Sequence, residues 1–219
     1  MNKIQQKIEQ GREYRDMKLT ARLIDEDEKM IVEGYATTFD EPYDLYWLDE
    51  NTVVKEVVER KAFENTDLSD VIFQYDHEGR VFARLSNDTM KLDIDDHGLK
   101  VTADLGGTEI GRNLYEEISK GYTNKMSFGF IVGEDEVTER EEDGKTIYTR
   151  YIQRVDKVFD VSAVSLPANN NTEIVSARKH LDGVIEGLIE EHNKREEAKR
   201  MKELKVKQLR ARIKVMKGV

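Results

Sequence analysis

The sequence predicts an α+β, mainly β fold: a closed or partly closed β-barrel with a few flanking helices, followed by a charged C-terminal helix. Three observations carry that prediction. Between Lys18 and Val164, short runs rich in β-branched and aromatic residues recur between clusters of turn residues. One stretch inside that body, Thr108–Lys120, is spaced as a helix instead. From Ser176 the apolar residues step by threes and fours, and the charge changes sign: thirteen Lys/Arg against seven Asp/Glu, a net of +6 in a chain whose total is −10.

Residues 1–17 read as a polar arm, frayed or helical. Leu19, Ala21 and Leu23 then alternate with polar residues, and Met30–Ala36 is a second strand. Glu41-Pro42 marks a loop before the aromatic-rich Tyr43–Leu48. Val53–Val58 predicts a strand and Lys61–Thr66 a short helix or turn. Val71–Tyr75, Val81–Leu85, Lys91–Ile94 and Leu99–Leu105 continue the β pattern, with turns at Gly79 and at Asp95-Asp96-His97-Gly98. In Thr108–Lys120, Ile110, Leu114 and Ile118 lie on one helix face, and Gly121 stands where a terminating glycine is favoured. Lys125–Val132, a charged hairpin around Glu141–Lys145, Ile147–Val155 and Lys157–Val164 complete the body before a Pro167–Asn171 turn. The expected domains are therefore the arm 1–17, a body 18–175, and a basic amphipathic tail 176–219. In that tail Leu181, Ile185, Leu188 and His192, then Val206, Leu209, Ile213 and Met216, form a seam interrupted around Asn193–Arg200.

Three islands carry side chains able to do chemistry. Phe73-Gln74-Tyr75-Asp76-His77 offers an imidazole, Lys125-Met126-Ser127-Phe128-Gly129-Phe130 a hydroxyl, and Phe159-Asp160-Val161-Ser162-Ala163-Val164 a carboxylate. These are the components of nucleophilic acyl transfer, whose order along a chain is free. Each also has an ordinary reading: a histidine at a strand end, a serine bonded to its neighbours, an outward carboxylate. Ser162 and Ser165 are alternative nucleophiles that crowd Asp160, and Asp76 is a poorer partner for His77 than Asp160 because adjacent strand residues face opposite ways. No Gly-x-Ser-x-Gly elbow is present. Asp93–Asp104 imitates a calcium loop, but its fifth position is His97, its last is Asp104 and its flanks are strand-like, so it reads as a hairpin.

Composition narrows the classes. With no cysteine there are no disulfides, cysteine nucleophiles or thiolate metal sites, which fits a reducing cytosol, and four histidines make a histidine-rich metal centre a poor fit. No cofactor is expected. No apolar run is long enough for a membrane span or signal core. Residues 1–175 hold 22 basic and 38 acidic side chains, a net of −16, which argues against a direct nucleic-acid role.

In this order the islands resemble the prohead (procapsid) maturation proteases of tailed bacteriophages. The resemblance runs from about Lys18 to Ile174. It rests on Gly34-Tyr35-Ala36 with Phe39, Glu59-Arg60-Lys61-Ala62-Phe63, Asp76-His77, Asp96-His97-Gly98-Leu99-Lys100-Val101, Ser127-Phe128-Gly129-Phe130, and Asp160 through Asn169. It implies a herpesvirus assembly protease-like barrel wrapped by helices. It also implies a serine endopeptidase with Ser127 as nucleophile, His77 as general base and Asp160 as third member. The family often has Glu at the last position and Gly where this chain has Lys61; the shorter Asp160 has to sit closer to its histidine. The substrates implied are a major capsid protein or scaffold protein and the chain itself, cleaved in the host cytoplasm inside the assembling procapsid. A homo-oligomer is compatible with it, and the oxyanion donors are sought around Phe128-Gly129. The alternative from another class is a non-enzymatic scaffold or capsid-assembly chaperone, for which the charged tail speaks; a metal-dependent hydrolase is a lesser rival.

Overall fold

A computed structural model describes residues 6–7, 10–24, 29–164 and 175–216. The chain divides into two compact units, residues 1–178 and 179–219.

The first unit is dominated by one ten-stranded sheet. Its strands are β1 (Glu13–Ile24), β2 (Lys29–Thr38), β3 (Tyr43–Asp49), β4 (Thr52–Val58), β5 (Ile72–Tyr75), β6 (Glu78–Arg84), β7 (Met90–Ile94), β8 (Gly98–Asp104), β9 (Lys125–Glu142) and β10 (Lys145–Val164). They follow the path β3-β4-β10-β9-β1-β2-β8-β7, with the β5–β6 hairpin branching from β10. Arg60–Phe63 is a single 3-10 turn, and helix α1 spans Glu109–Ser119. Thr108 caps α1, its hydroxyl accepting from the Gly111 amide at 3.1 Å, and Gly121 follows with φ 77°.

The expectation of a closed barrel is not met. The path ends at β3 and β7, and hydrogen bonds do not close it. The branch at β10 explains the open form. One edge of β10 takes two parallel partners in succession, β4 over Thr146–Ile152 and β5 over Asp160–Ala163, while β9 pairs along its other edge. β1 is shared similarly: Glu13–Lys18 pairs with β9 and Leu19–Ile24 with β2. Glu13–Met17, read from sequence as part of an arm, are thus the opening residues of a central strand. Their polar character has a local cause: Glu13 and Arg15 belong to a buried ion cluster.

The apolar core lies on one face of the β1–β9–β10 region. Met126, Phe128 and Phe130 of β9 and Val161 and Ala163 of β10 pack there with Phe63, Phe73, Val101 and the α1 residues Leu114 and Ile118. Strand alternation then sends Ser127, Gly129, Asp160 and Ser162 to the opposite face. The β9–β10 hairpin closes through Asp143-Gly144, φ 50° and 75°, between the paired residues Glu142 and Lys145. Both central residues are left-handed, which is the type I′ geometry that Asp-Gly favours.

The described residues of the second unit belong to α2 (Val175–Met216), a 42-residue helix. It carries ion pairs one turn apart, Lys194–Glu190 and Arg195–Glu191. Met201, Leu204 and Val206 are exposed. The turn expected at Pro167–Asn171, Ser165, and the side chains of His180, His192, Leu209, Ile213 and Met216 lie outside the described residues.

Candidate active site

Two elements bring the histidine and the carboxylate together. β5 runs parallel to the end of β10, and the Asp76 amide extends that pairing to the Ala163 carbonyl at 2.9 Å. The chain then reverses through Asp76 and His77, with Tyr75 paired to Glu78. Both loop residues are left-handed, φ 47° and 55°, so this is again the geometry of a type I′ turn. The turn expected at Gly79 is therefore one step earlier, and His77 fills a position that usually goes to glycine. Only side chains such as Asp, Asn and His enter that region with any frequency. Backbone strain of this kind concentrates at functional sites.

His77 Nδ1 is hydrogen-bonded to Asp160 Oδ1, and both residues are about 1% exposed. An ionised carboxylate only accepts, so a hydrogen bond to one makes Nδ1 the donor. The shorter side chain at position 160 is accommodated in two ways. A register shift between Val158 and Asp160 bends β10 just before the carboxylate, and bulges re-aim side chains. Directly across on β9 stands Gly129, whose missing side chain leaves room. A Cβ there would lie 2.8 Å from Asp160 Oδ2 and 2.9 Å from Tyr14 Cε1.

Ser162 is two residues from Asp160 on the same strand face, and its Oγ donates to Asp160 Oδ1 at 3.1 Å. The serine read from sequence as an alternative nucleophile is thus engaged in holding the carboxylate. Tyr14, across from Gly129, packs edge-on to the His77 ring with centroids 4.3 Å apart. Lys7 Nζ donates to the His77 carbonyl at 2.6 Å. Arg12 lies over the Phe159 ring and 3.7 Å from Asp160 Oδ2. Lys7, Arg12 and Tyr14 were not singled out from sequence, because nothing local in a polar N-terminal segment marks them; Ser162 could have been placed from its two-residue spacing alone.

Ser127 pairs directly with Ser162 on β10, which makes Asp160 its diagonal neighbour on the same face. Diagonal neighbours in such a ladder are about 7–8 Å apart, their Cβ atoms somewhat closer. Ser127 is fully buried, and its Oγ and His77 Nε2 are buried polar atoms without hydrogen-bond partners. Buried polar groups are nearly always satisfied, and a catalytic role is one of the reasons for an exception. The oxyanion donors expected near Phe128 find no support: β9 is paired with β1 on one side and β10 on the other at this residue, so its N–H belongs to a ladder.

The calcium-loop imitation is the β7–β8 hairpin. Asp95 Oδ1 accepts from the His97 and Gly98 amides, and Asp96 pairs with Arg60 at 2.6 Å. A cavity of about 640 Å³ lies away from His77, Ser127 and Asp160, along β4 and the hairpin-side halves of β9 and β10, between Lys55, Arg60, Thr138, Arg140, Thr149 and Tyr151. Among the described residues no helix is long and apolar enough to cross a membrane.

Comparison with known proteins gives one match. The family model described as caudovirus prohead serine protease covers residues 16–185. No curated protein and no solved structure matches the chain.

Proposed function

The chain belongs to the caudovirus prohead serine protease family, a family of capsid-maturation peptidases, and from that premise we propose that Ser127, His77 and Asp160 are its catalytic triad. The observation that carries the assignment is the single sheet face on which a buried, unpartnered serine hydroxyl lies diagonal to a carboxylate. That carboxylate holds an imidazole by Nδ1 and leaves Nε2 unpartnered.

In this reading Ser127 Oγ attacks the scissile peptide carbonyl as its proton passes to His77 Nε2. Asp160 holds the ring in the required tautomer and stabilises the imidazolium. The imidazolium then protonates the departing amine, leaving an ester between the substrate acyl group and Ser127. Water, deprotonated by the same nitrogen, releases the new carboxylate and restores the serine. Ser127 and His77 are both buried, so a peptide reaches them only after the chain covering them moves.

The substrates in this reading are the phage's capsid or scaffold protein and the chain itself, cut inside the procapsid in the host cell. The tail 176–219, opposite in charge to the body, is an assembly segment that binds scaffold or the inner shell. Co-expression with the capsid and scaffold proteins tests the enzyme reading against the scaffold-chaperone alternative. Ser127→Ala is expected to assemble shells that keep their full-length proteins; normal processing in that variant leaves only the chaperone role.

A further inference from the structure

The stretch matched by the family begins at residue 16, yet three side chains from the preceding segment touch the His77–Asp160 pair. Lys7 Nζ donates to the His77 carbonyl, Tyr14 packs edge-on to the His77 ring, and Arg12 reaches Asp160. The Asp160 carboxylate is almost wholly removed from water. Its Oδ1 is engaged twice, by His77 Nδ1 and by Ser162 Oγ. Its Oδ2 has no hydrogen bond, lies in the slot left by Gly129, and has the Arg12 guanidinium 3.7 Å away. Arg12 itself is fixed by stacking, its Cζ 3.5 Å from the centroid of Phe159, the residue preceding Asp160.

We infer that Arg12 is a positioning residue for the proposed triad, supplying the counter-charge that holds Asp160 in register with His77; the inference rests on the triad assignment above. A buried carboxylate without compensation is costly, and a cation on its far oxygen fixes which oxygen faces the imidazole. Arg12 touches neither substrate nor the reacting atoms. Its effect reaches Ser127 through Asp160 and His77, and so belongs to the chemical step rather than to binding. Lys7, Arg12 and Tyr14 are on this account part of the working site, and a chain trimmed to the family-matched stretch lacks them.

Arg12→Met and Arg12→Gln remove the charge together with the guanidinium stack, and Arg12→Lys restores the charge without that stack. The full-length chain is reacted with an alkyl fluorophosphonate, and the limiting rate and half-saturating concentration of Ser127 labelling are measured for the native chain and for Arg12→Met, Arg12→Gln and Arg12→Lys. The limiting rate is expected to fall about tenfold in Arg12→Met and Arg12→Gln, the half-saturating concentration to stay within about twofold, and Arg12→Lys to recover most of the rate. A native rate in Arg12→Met overturns the inference and leaves the triad standing; equal slowing in all three variants overturns it in favour of packing alone. Absence of Ser127-dependent labelling in the native chain overturns the triad, and the inference with it.

Discussion

At Asp76-His77 the backbone holds two left-handed residues where a hairpin ordinarily takes Asn-Gly or Asp-Gly. A residue with a Cβ costs about 1 kcal/mol or more in that region relative to glycine. His77→Gly and His77→Ala both remove the imidazole, but only glycine relieves the backbone. The glycine variant is expected to be the more stable by about 1 kcal/mol in denaturant unfolding, both being inactive. Gly129 presents the reverse case. Gly129→Ala drives a methyl into Asp160 Oδ2 and the Tyr14 ring, and is expected to cost about 1–3 kcal/mol of stability and to cut peptidase turnover at least tenfold. The islands at His77, Ser127 and Asp160 were legible because each is a polar residue set among apolar strand residues. Which atoms meet was not. The Asp-His turn carries no glycine to announce it, while the Asp143-Gly144 turn of the same geometry announces itself. The slot at Gly129 depends on a bulge two strands' pairing away from any local signal, and Arg12 arrives from a segment with no apolar pattern.

Among the elements, β10 carries Asp160 and Ser162 of the candidate site and also Arg150 of a buried charge cluster shared with β1 and β4. Arg15 Nε and Nη2 grip Glu56 at 2.5 and 2.6 Å, and Arg150 Nη1 and Nη2 grip Glu13 at 2.6 and 3.0 Å. Asp135 pairs with Arg150, and Tyr43 Oη donates to Glu56. The cluster joins β1, β3, β4, β9 and β10. Burial alone would push the Glu56 carboxyl up, but the Arg15 guanidinium and its hydrogen bonds, with Arg150 and Tyr43, outweigh burial and hold it at about 2. A folded value below the ordinary 4.5 means that this contribution to stability is complete above about 4.5 and is lost as the pH falls towards about 2. Glu56→Gln is therefore expected to flatten the dependence of unfolding free energy on pH over that window. It is also expected to destabilise the fold by about 3–5 kcal/mol at neutral pH, by leaving two buried guanidinium groups short of a partner. Strand periodicity reveals most of these elements, because most of them bury at least one face. It does not reveal that the runs on either side of Gly133 and of Asp156 are single strands of 18 and 20 residues, since their bulges break the alternation. Nor does it reveal the open, branched sheet, which is a matter of long-range pairing.

The whole chain joins an acidic body to a basic helix, net −16 against +6 across Val175–Ser176. Fields of opposite sign on one chain suit a molecule that is held in an assembly by one part and acts with the other. Removing 176–219 is expected to lower incorporation into procapsids several-fold, read by quantifying the chain in purified shells, and the loss should be mimicked by raised salt during assembly. Unchanged incorporation would assign the helix another role. The charge division was legible from composition alone, since it requires only counting; the covering of the site was not, because burial is a property of the folded chain. Reacting the intact chain with a fluorophosphonate and locating the adduct by mass spectrometry tests the triad most directly. The adduct is expected on Ser127 in the native chain, and neither His77→Ala nor Asp160→Ala should form it at a comparable rate. An adduct on Ser162 or another serine, or labelling of Ser127 that is indifferent to His77, would contradict the assignment.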